Sequence, residues 1–435
     1  IKSPDPQTVQ RLQKEFNAPE IMARVMANRG ISSLTDSKSF FEPSLADLHD
    51  PFSMLNMNAA AENVAYHIEH RKPIMIFGDY DVDGITGSSM LYLTLKALGA
   101  EASVYIPDRK KEGYGLSKAG IDRATERGAT LIITCDCGIN AVDAVDYANS
   151  KNIEVVITDH HTPDPRLPDA FAILNPKQND CEYPFKGLCG GGVAFKLASA
   201  VAEVLDKDPL LAYQHLDLVT LGTAADIVPL KDENRIIIYH GLKQLKETDS
   251  PGLEALLETS NLVDKELTVG RLLFQIAPRI NAAGRMGDAN RAVQLLTTED
   301  FFEATQLARA LDNENRSRRA VQQTIVNEAV LMVNNEVDLE NDKAIVLWKE
   351  GWHSGIIGIV ASRIKEEFYR PTVIISLDGD EGKGSARSIR GFDLYENLAR
   401  CAQHLVGFGG HPMAAGLTIS APELESFRKE FYTIA

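Results

Sequence analysis

Two kinds of hydrophobic pattern alternate along the first half of the chain. Short apolar runs, which we predict to be strands, occupy Ile74–Phe77, Ser103–Ile106, Leu131–Thr134, Ile153–Ile157 and Ala170–Leu174. The segments between them have helical patterns, with predicted helices at Thr86–Gly99, Ser117–Gly128 and Ala141–Asn152. Strands that alternate with helices of this length predict βαβ units and a parallel sheet.

Helices follow the predicted strands, and the chain ends in another α/β pattern. We predict helices at Ala194–Leu205, Leu210–Gly222 and Glu299–Val333, the last with apolar residues at helical spacing and no Pro or Gly. A strand at Ala344–Trp348, a helix at Ile356–Phe368, a strand at Thr372–Ser376 and a helix at Asp393–His404 follow. The predicted fold class is α/β: a helical segment (1–50), a parallel-sheet domain (51–240), a long helical connector (241–335) and a smaller α/β domain (336–435).

Composition and charge narrow the possible functions. The chain has 435 residues, of which 44% are hydrophobic, so it is long enough to bury substantial cores. None of its apolar runs approaches the roughly 20 residues of a membrane-spanning helix. The five cysteines are few and odd in number, which favours a reducing compartment such as the cytoplasm. The net charge of −16 argues against nucleic-acid binding, unless the acidic residues bind metal and the basic residues cluster locally.

Acidic residues follow three of the predicted strands directly. Asp79, Asp81 and Asp83 follow the first strand, Asp136 follows the third, and Asp159-His160-His161 follows the fourth. Because parallel strands present their carboxyl ends at one edge of a sheet, these groups should meet. Five carboxylates in one crevice repel each other unless a cation lies between them, and oxygen ligands mixed with imidazole suit Mn²⁺ or Mg²⁺. Asp226, after an apolar helix, is a further candidate ligand.

Each of these features also has a plainer interpretation. The segment from Asp79 to Gly84 matches the first half of a calcium-binding loop, but the twelfth position is Met90 where that loop requires Glu. A single Asp at a strand end is more often a helix cap than a ligand. Cys135 and Cys137 suggest zinc, although a pair of this kind more often packs as small apolar residues. Three acidic strand ends, one with a tandem His pair, favour the metal site.

Candidate phosphate-binding groups lie mainly in the second half. Arg279, Asn281 and Arg285 fall in an Arg-rich stretch, and guanidinium groups bind phosphate oxygens in pairs. We predict two Gly-rich turns whose backbone amides form anion sites: Gly382–Arg390, with Ser385 and Arg387, and Gly407–Pro412, with Gly409, Gly410 and His411. In the first half, Arg109, Lys110 and Lys111 extend the basic lining, and Tyr114 is placed to stack on a base.

Together these motifs resemble those of a known superfamily. Asp79-Tyr80-Asp81-Val82-Asp83-Gly84, Asp136, Asp159-His160-His161 and Asp226 are similar to the four motifs of the DHH phosphoesterases. The segment from Gly409 to Gly416 resembles the signature of their accessory DHHA1 domain. Within the superfamily, the first motif, the segment from Arg279 to Met286 and the long connector are most similar to the RecJ family.

The resemblance implies a two-metal site and assigns a role to each residue. One metal ion would bind Asp81 and Asp136 and the other Asp83, Asp136, His160 and Asp226. Asp79 would be a less regular ligand, because many relatives have a His early in this motif. Asp159 would orient His160, and His161 would face the scissile phosphate. Arg109, Arg279, Ser385 and Arg387 would hold phosphates near the 5′ end of the strand.

The function implied is a 5′→3′ exonuclease that hydrolyses single-stranded DNA to 5′-mononucleotides, with two Mn²⁺ or Mg²⁺ ions, in DNA repair and recombination. Its partners would be single-stranded DNA, a single-strand-binding protein and a helicase, and the chain would be a cytoplasmic monomer that does not bind membranes. Members of the family typically continue into an OB-fold, so the chain is expected to be a trimmed catalytic core or to prefer short substrates. The alternatives are a DHH oligoribonuclease or cyclic-dinucleotide phosphodiesterase and, from a different class, an inactive scaffold.

Overall fold

The structure is a computed structural model that describes residues 3–109, 112–113 and 115–435. It divides into two compact units. The first comprises residues up to Gly284 together with Asp288–Leu311, and the second comprises Arg285–Gly287 and Asp312–Ala435. This division is coarser than the four segments expected from the sequence, which stay a prediction.

The first unit is an α/β domain preceded by small helices. Its strands are β1 (Ile74–Gly78), β2 (Ala102–Tyr105), β3 (Leu131–Cys135), β4 (Glu154–Thr158) and β5 (Ala172–Leu174). Its first eight helices are α1 (Pro6–Phe16), α2 (Glu20–Asn28), α3 (Leu34–Phe41), α4 (Met57–Glu69), α5 (Val82–Ala97), α6 (Lys118–Glu126), α7 (Val142–Ser150) and α8 (Gly190–Val204). Short 3₁₀ turns lie at Leu45–Asp47 and Pro51–Ser53.

The other helices that lie wholly or mostly in this unit follow α8 in sequence, and the last two residues of α14 belong to the second unit. They are α9 (Leu210–Tyr213), α10 (Leu216–Ala225), α11 (Asp232–Lys246), α12 (Pro251–Thr259), α13 (Val269–Arg271), α14 (Ala277–Met286) and α15 (Asn290–Thr297). A π-helical turn at Leu272–Ile276 joins α13 to α14. The long helix α16 (Phe301–Glu336) begins in the first unit and ends in the second.

The first sheet is parallel throughout, in the order β2-β1-β3-β4-β5. Residues of β1 and β3 are buried along their whole length, as expected for strands covered by helices on both faces. One core packs α4, α5, α8 and α10 against one face, and a second core packs α6 and α7 against the other. The predicted βαβ organisation is therefore confirmed, and the carboxyl ends of β1, β3 and β4 lie at the same edge of the sheet.

The second unit contains a mixed sheet in the order β6-β7-β8-β10-β9. Its strands are β6 (Ile345–Glu350), β7 (Thr372–Asp378), β8 (Glu381–Arg387), β9 (Leu405–His411) and β10 (Ala414–Ser420). Its helices are α17 (Ile357–Phe368), α18 (Leu394–Arg400) and α19 (Leu424–Ile434), with 3₁₀ turns at Ala402–His404 and Ala421–Glu423. Only β6 and β7 are parallel, and the other neighbouring strands are antiparallel.

The two predicted Gly-rich turns are wrong, because both segments lie largely in strands. Residues 382–387 belong to β8 and residues 407–411 to the edge strand β9. Along β8 the buried positions alternate with more exposed ones, and they are Gly382, Gly384 and Ala386. A Cβ atom on Gly384 would lie 2.6 Å from Leu417, so large neighbours fill the space that a side chain would take. With glycine and alanine on its buried face, β8 lacks the hydrophobic alternation that identifies a strand.

None of the described helices is both long enough and apolar enough to span a bilayer. All five cysteines are buried free thiols.

Candidate metal centre

The first acidic motif connects β1 to α5. Asp79 follows the last residue of β1, and its carboxylate is buried. Asp81 is the N-cap of α5, where its Oδ1 accepts hydrogen bonds from the amides of Asp83 (2.9 Å) and Gly84 (3.1 Å). The helix therefore begins at Val82, four residues before the predicted start, because a side chain satisfies its first amides. Gly84 is required here, because a Cβ atom on it would lie 2.5–2.8 Å from the backbone of Asp79.

Asp136 occupies the end of β3 in a left-handed conformation, with φ = 63°. Its amide donates to the carbonyl of Thr158 at 3.0 Å, which continues the pairing between β3 and β4 by one residue. Non-glycine residues rarely adopt this conformation, and when they do they are often at functional sites. Strand pairing therefore fixes the backbone that carries the Asp136 carboxylate.

The Asp159-His160-His161 motif follows β4 and is organised by the Asp159 carboxylate. Oδ1 of Asp159 accepts from the amides of His160 (2.7 Å) and His161 (3.0 Å) and contacts Nδ1 of His161 at 2.8 Å. Its Oδ2 accepts from the amide of Ile139 at 2.9 Å. Asp159, which was expected to orient His160, holds the backbone amide of that residue, and the imidazole that it contacts is that of His161. The two imidazole rings lie beside each other, with centroids 4.5 Å apart.

Nε2 of His160 lies between two carboxylates. It is 3.1 Å from Oδ1 of Asp136 and 3.6 Å from Oδ2 of Asp226, which is the C-cap of α10. Ligand atoms within 4.8 Å of one another form three groups: Asp79, Asp81 and Asp136; Asp83, His160 and Asp226; and Asp136, His160 and His161. The structure thus brings together all the metal ligands expected from the sequence, and Asp136 belongs to two of the groups.

Burial and mutual repulsion raise the pKa of four carboxylates of this cluster. Burial, followed by the charge of Asp81, raises the pKa of Asp79 to about 8 and that of Asp83 to about 6. Burial and then Asp83 raise the pKa of Asp226 to about 8, and the same two causes raise that of Asp136 well above its ordinary value. Burial is the largest cause of each shift, and the second cause is repulsion between carboxylates that lie close together.

The pKa values of His160 and His161 are shifted in opposite directions. Burial and the charge of His161 lower the pKa of His160 to about 4, which keeps it neutral and able to bind metal. Burial also acts to lower the pKa of His161, but its hydrogen bond with Asp159 and the charge of that residue outweigh burial and raise it. Reciprocally, burial opposes ionisation of Asp159, and the contacts with His161 keep its pKa below the ordinary value. The His161 side chain is 39% exposed and favours the cationic form.

The residues of this cluster fit divalent cations. Within the described part of the chain, the buried Oδ1 of Asp79 and Nε2 of His160 make no hydrogen bond of acceptable geometry. Buried polar atoms in this state are unfavourable unless a further group satisfies them. Carboxylate oxygens with one neutral imidazole are a ligand set for Mn²⁺ or Mg²⁺. No described thiol belongs to the three groups.

Helix α8 begins at Gly190, four residues before the predicted start, and its N-terminus supports Asp83, a contact that the sequence did not predict. The first amides of α8 hold this carboxylate: Gly190 N donates to Oδ2 at 2.6 Å and Gly191 N donates to Oδ1 at 3.1 Å. A Cβ atom on Gly190 would lie 2.5–2.6 Å from Asp136, so only glycine fits. The partial positive charge of a helix N-terminus favours the ionised carboxylate. The run of three glycines at 190–192 was the available signal.

Of the phosphate-binding residues predicted in the first unit, Arg109 lies near the acidic cluster, and Arg279 contacts backbone carbonyls. Arg109 lies 4.9 Å from the ring centroid of Tyr80, and its charge acts on Asp79, so it lies near the cluster. Arg279 donates to the carbonyls of Gln275 and Thr259, which orients its guanidinium within the protein. Asn281 is half-buried in α14. Tyr114, like Lys110 and Lys111, lies outside the described residues.

The other predicted phosphate-binding residues belong to the second unit. Arg285 donates to the carbonyl of Gly355 at 3.2 Å. Arg387 donates to Ser385 Oγ at 3.1 Å, and both side chains lie against Gly358 near the start of α17. The structure therefore brings Ser385 and Arg387 together. Gly409, Gly410 and His411 are exposed on the edge strand β9.

A parallel sheet with carboxylates and imidazole gathered at its carboxyl edge defines a candidate metal-dependent phosphoesterase, and comparison with known proteins agrees. Residues 73–223 match the N-terminal domain of the DHH family, and residues 341–435 match the DHHA1 domain. The single-stranded-DNA-specific exonuclease RecJ of Bacillus subtilis is 44% identical over all of this chain, which spans 55% of that relative's length. The RecJ of Salmonella typhimurium is 38% identical over 95% of this chain and 74% of its own length.

Comparison with solved structures also finds similarity to RecJ. The crystal structure of RecJ from Thermus thermophilus in complex with Mn²⁺ matches this chain with a TM-score of 0.85 and 30% identity, over 100% of this chain and 61% of that one. The chain thus belongs to the RecJ family.

Proposed function

We propose that this chain is a divalent-metal-dependent exonuclease that hydrolyses single-stranded DNA in the 5′→3′ direction to 5′-mononucleotides. The observation that carries the proposal is the convergence of six metal-ligand candidates at one sheet edge: Asp79, Asp81, Asp83, Asp136, His160 and Asp226. Membership of the RecJ family supports this function, and the names of the relatives that it matches give single-stranded-DNA-specific exonuclease activity. We infer a role in DNA repair and recombination from that membership.

The ligands divide into two sets that share Asp136. We assign Asp79, Asp81 and Asp136 to one Mn²⁺ or Mg²⁺ ion and Asp83, Asp136, His160 and Asp226 to the other. When bound, such ions lower the pKa of a water ligand and withdraw charge from phosphate oxygens. The raised pKa values of these carboxylates support the assignment, because bound cations would favour their ionised forms.

His161 and the arginines act on the substrate in this mechanism. Asp159 holds Nδ1 of His161 and favours its cationic form, so we assign the opposite edge of the ring to a phosphate oxygen, where it stabilises developing negative charge. Arg109 lies near Asp79 and is assigned to a neighbouring phosphate. In the second unit, Ser385 and Arg387 are assigned to the phosphate at the 5′ end, with Gly409, Gly410 and His411 along the strand.

Oligonucleotides labelled at either end test this function. The chain should degrade 5′-labelled single-stranded DNA in Mn²⁺ or Mg²⁺ with early release of the labelled mononucleotide, and 3′-labelled strands should shorten progressively. Duplex DNA and EDTA should each reduce the rate by more than about 100-fold. Preference for RNA of a few nucleotides over long DNA would instead identify an oligoribonuclease.

We further propose that the chain acts as a cytoplasmic monomer together with a single-strand-binding protein and a helicase. Its five buried free thiols suit a reducing compartment. Light scattering of the purified chain would test the monomer. Pull-down of the two partners from cytoplasmic extract, with and without nuclease treatment, would separate direct contacts from contacts through DNA.

A further inference from the structure

A cavity of about 720 Å³ lies in the first unit between the N-terminal helices and the start of α11. Its wall includes Arg29 after α2, Phe40 in α3, and Lys231 and Arg235 at the start of α11. None of the metal-ligand candidates lines it. The mechanism proposed above leaves this cavity without a role.

Two guanidinium groups approach the same aromatic ring in this cavity. The ζ carbon of Arg235 is 4.4 Å from the ring centroid of Phe40, and that of Arg29 is 5.9 Å from it. Nε of Arg235 also donates to the carbonyl of Phe40 at 3.1 Å, which fixes the position of its guanidinium. Arg29 is exposed and Arg235 is half-buried.

Neither guanidinium of this pair forms an ion pair with a residue that the structure describes, although three aspartates also line the cavity. Burial, followed by the charge of Arg29, lowers the pKa of Arg235, so the two cations repel each other. Among the described residues, no carboxylate lies within ion-pair distance of either guanidinium. Two acidic side chains of the wall are engaged elsewhere: Asp36 accepts from the amide and hydroxyl of Ser32, and Asp232 contacts Nε2 of His49 at 2.9 Å. Asp47 is the third.

The start of α11 adds hydrogen-bond donors to the same wall. Lys231 is the N-cap of this 15-residue helix, and no described side chain caps its first amides. Helix amides without a side-chain cap and neighbouring cations favour a bound anion, although the first turn of α11 also carries the carboxylates of Asp232 and Glu233. A tetrahedral oxyanion between the guanidinium groups would relieve their repulsion and accept from both forks.

We propose that the cavity beside Phe40 binds a phosphate group, and that this phosphate belongs to the backbone of the single strand whose end is hydrolysed at the metal centre. The source of the phosphate rests on the proposed function. Pro229 lines the cavity and follows the ligand Asp226 by three residues, so their Cα atoms are at most about 11 Å apart. A strand of a few nucleotides spans that distance.

The test compares Arg29→Gln and Arg235→Gln with Arg24→Gln as a matched control. Arg24 is an exposed arginine of α2 that pairs with Glu20. Binding of the 435-residue chain to a fluorescent 20-nucleotide single strand is measured in EDTA at several salt concentrations, which separates binding from hydrolysis. Each cavity variant should raise Kd about 3- to 10-fold and reduce the slope of log Kd against log salt concentration by about 0.7, the value for one lost phosphate contact on a single strand. Arg24→Gln should behave as the unaltered chain.

A second arm identifies the source of the phosphate. Inorganic phosphate and thymidine 5′-monophosphate are titrated calorimetrically into the same four proteins. If the cavity variants lose binding of these small anions while DNA binding is unchanged, the site exists but takes a free phosphate or nucleotide. If all four proteins bind every probe equally, or bind none, the proposal is overturned. Arg29→Gln alters an exposed side chain, so it remains informative if Arg235→Gln fails to fold.

Discussion

The amide of Gly190 donates a 2.6 Å hydrogen bond to Oδ2 of Asp83, and a Cβ atom on Gly190 would lie 2.5 Å from Asp136. Gly190 therefore donates its amide to the ligand candidate Asp83, and because it has no side chain it leaves space for the ligand candidate Asp136. The N-terminus of α8 is in this way part of the metal centre, although it supplies no ligand.

Substitution Gly190→Ala should damage the metal centre. Because the new methyl group would collide with Asp136, either this carboxylate or α8 must move, and we expect Mn²⁺ affinity to fall at least about 10-fold, as for outer-shell partners of metal ligands. Calorimetric titration with Mn²⁺ measures the effect. Gly192→Ala is the control, because the nearest atoms there are side-chain atoms of Leu188 and Cys189 at 3.3–3.7 Å. Equal affinity in the two variants would contradict the role given to Gly190.

Substitution Asp136→Asn should abolish hydrolysis while the fold is retained. Without metal, removal of this charge relieves repulsion from Asp83, Asp81 and Asp79, so Tm in EDTA should be unchanged or higher. The unaltered chain should show an increase in Tm when Mn²⁺ is added, and this increase should largely disappear in the variant. The rate of hydrolysis should fall by more than about 100-fold, because loss of a ligand should cost more than the roughly 10- to 100-fold typical of residues that only hydrogen-bond to ligands. Thermal unfolding with and without Mn²⁺ checks the first two expectations. Near-normal hydrolysis would refute the shared role of Asp136.

Substitution His161→Ala tests whether His161 acts on the substrate or binds a metal ion. Because we assign this ring to a phosphate oxygen, kcat should fall about 10²- to 10³-fold, as for loss of one donor to a developing oxyanion. The Kd for Mn²⁺ should change less than about twofold. Measurement of both quantities on the same preparation is decisive: a 10-fold loss of Mn²⁺ affinity would make His161 a ligand together with Asp136 and His160.

Substitution Asp217→Asn should change how stability depends on pH. Asp217 at the start of α10 is 4% exposed, and burial raises its pKa to about 6. The stabilising contribution of the protonated form is fully present below the unfolded-state pKa of about 4 and is lost as the pH rises through 6. The Asn variant does not titrate, so relative to the unaltered chain it should gain roughly 2–3 kcal/mol between pH 4 and pH 7.5.

Urea unfolding in EDTA at both pH values measures this difference. The hydrogen bond from the amide of Leu218 to Oδ1 of Asp217 is one that Asn preserves. Asp208→Asn, at an exposed position, controls for the loss of one carboxylate. A stability difference between Asp217→Asn and the unaltered chain that is the same at both pH values would contradict the prediction.

The sequence was sufficient to predict the parallel sheet and the meeting of its carboxylates. The strands β1 and β3 are continuous apolar runs because both faces are buried, and each run ends at the residue before an acidic motif. Once the strands were recognised as parallel, their common edge placed Asp79 and Asp136 together without any knowledge of side-chain contacts.

What the sequence did not predict depends on contacts between distant segments. The buried face of β8 carries glycine and alanine because Leu417 fills the space above it, and a single sequence does not show that neighbour. The orientation of His161 by Asp159 is decided by the turn after β4, in which the carboxylate already accepts two backbone amides. The early start of α8 depends on Asp83, which is 107 residues away in the sequence.

The helix α5, which begins between Asp81 and Asp83, is buried for most of its length, from Val82 to Leu95. The backbone of its first turn cannot shift far without moving side chains such as Met90 and Leu91 in the core. The packing of α5 therefore holds the backbone of the first acidic motif in place. The same connection means that a repacking of the core around α5 would change the distances between the candidate ligands Asp81 and Asp83 and those at the ends of β3 and β4.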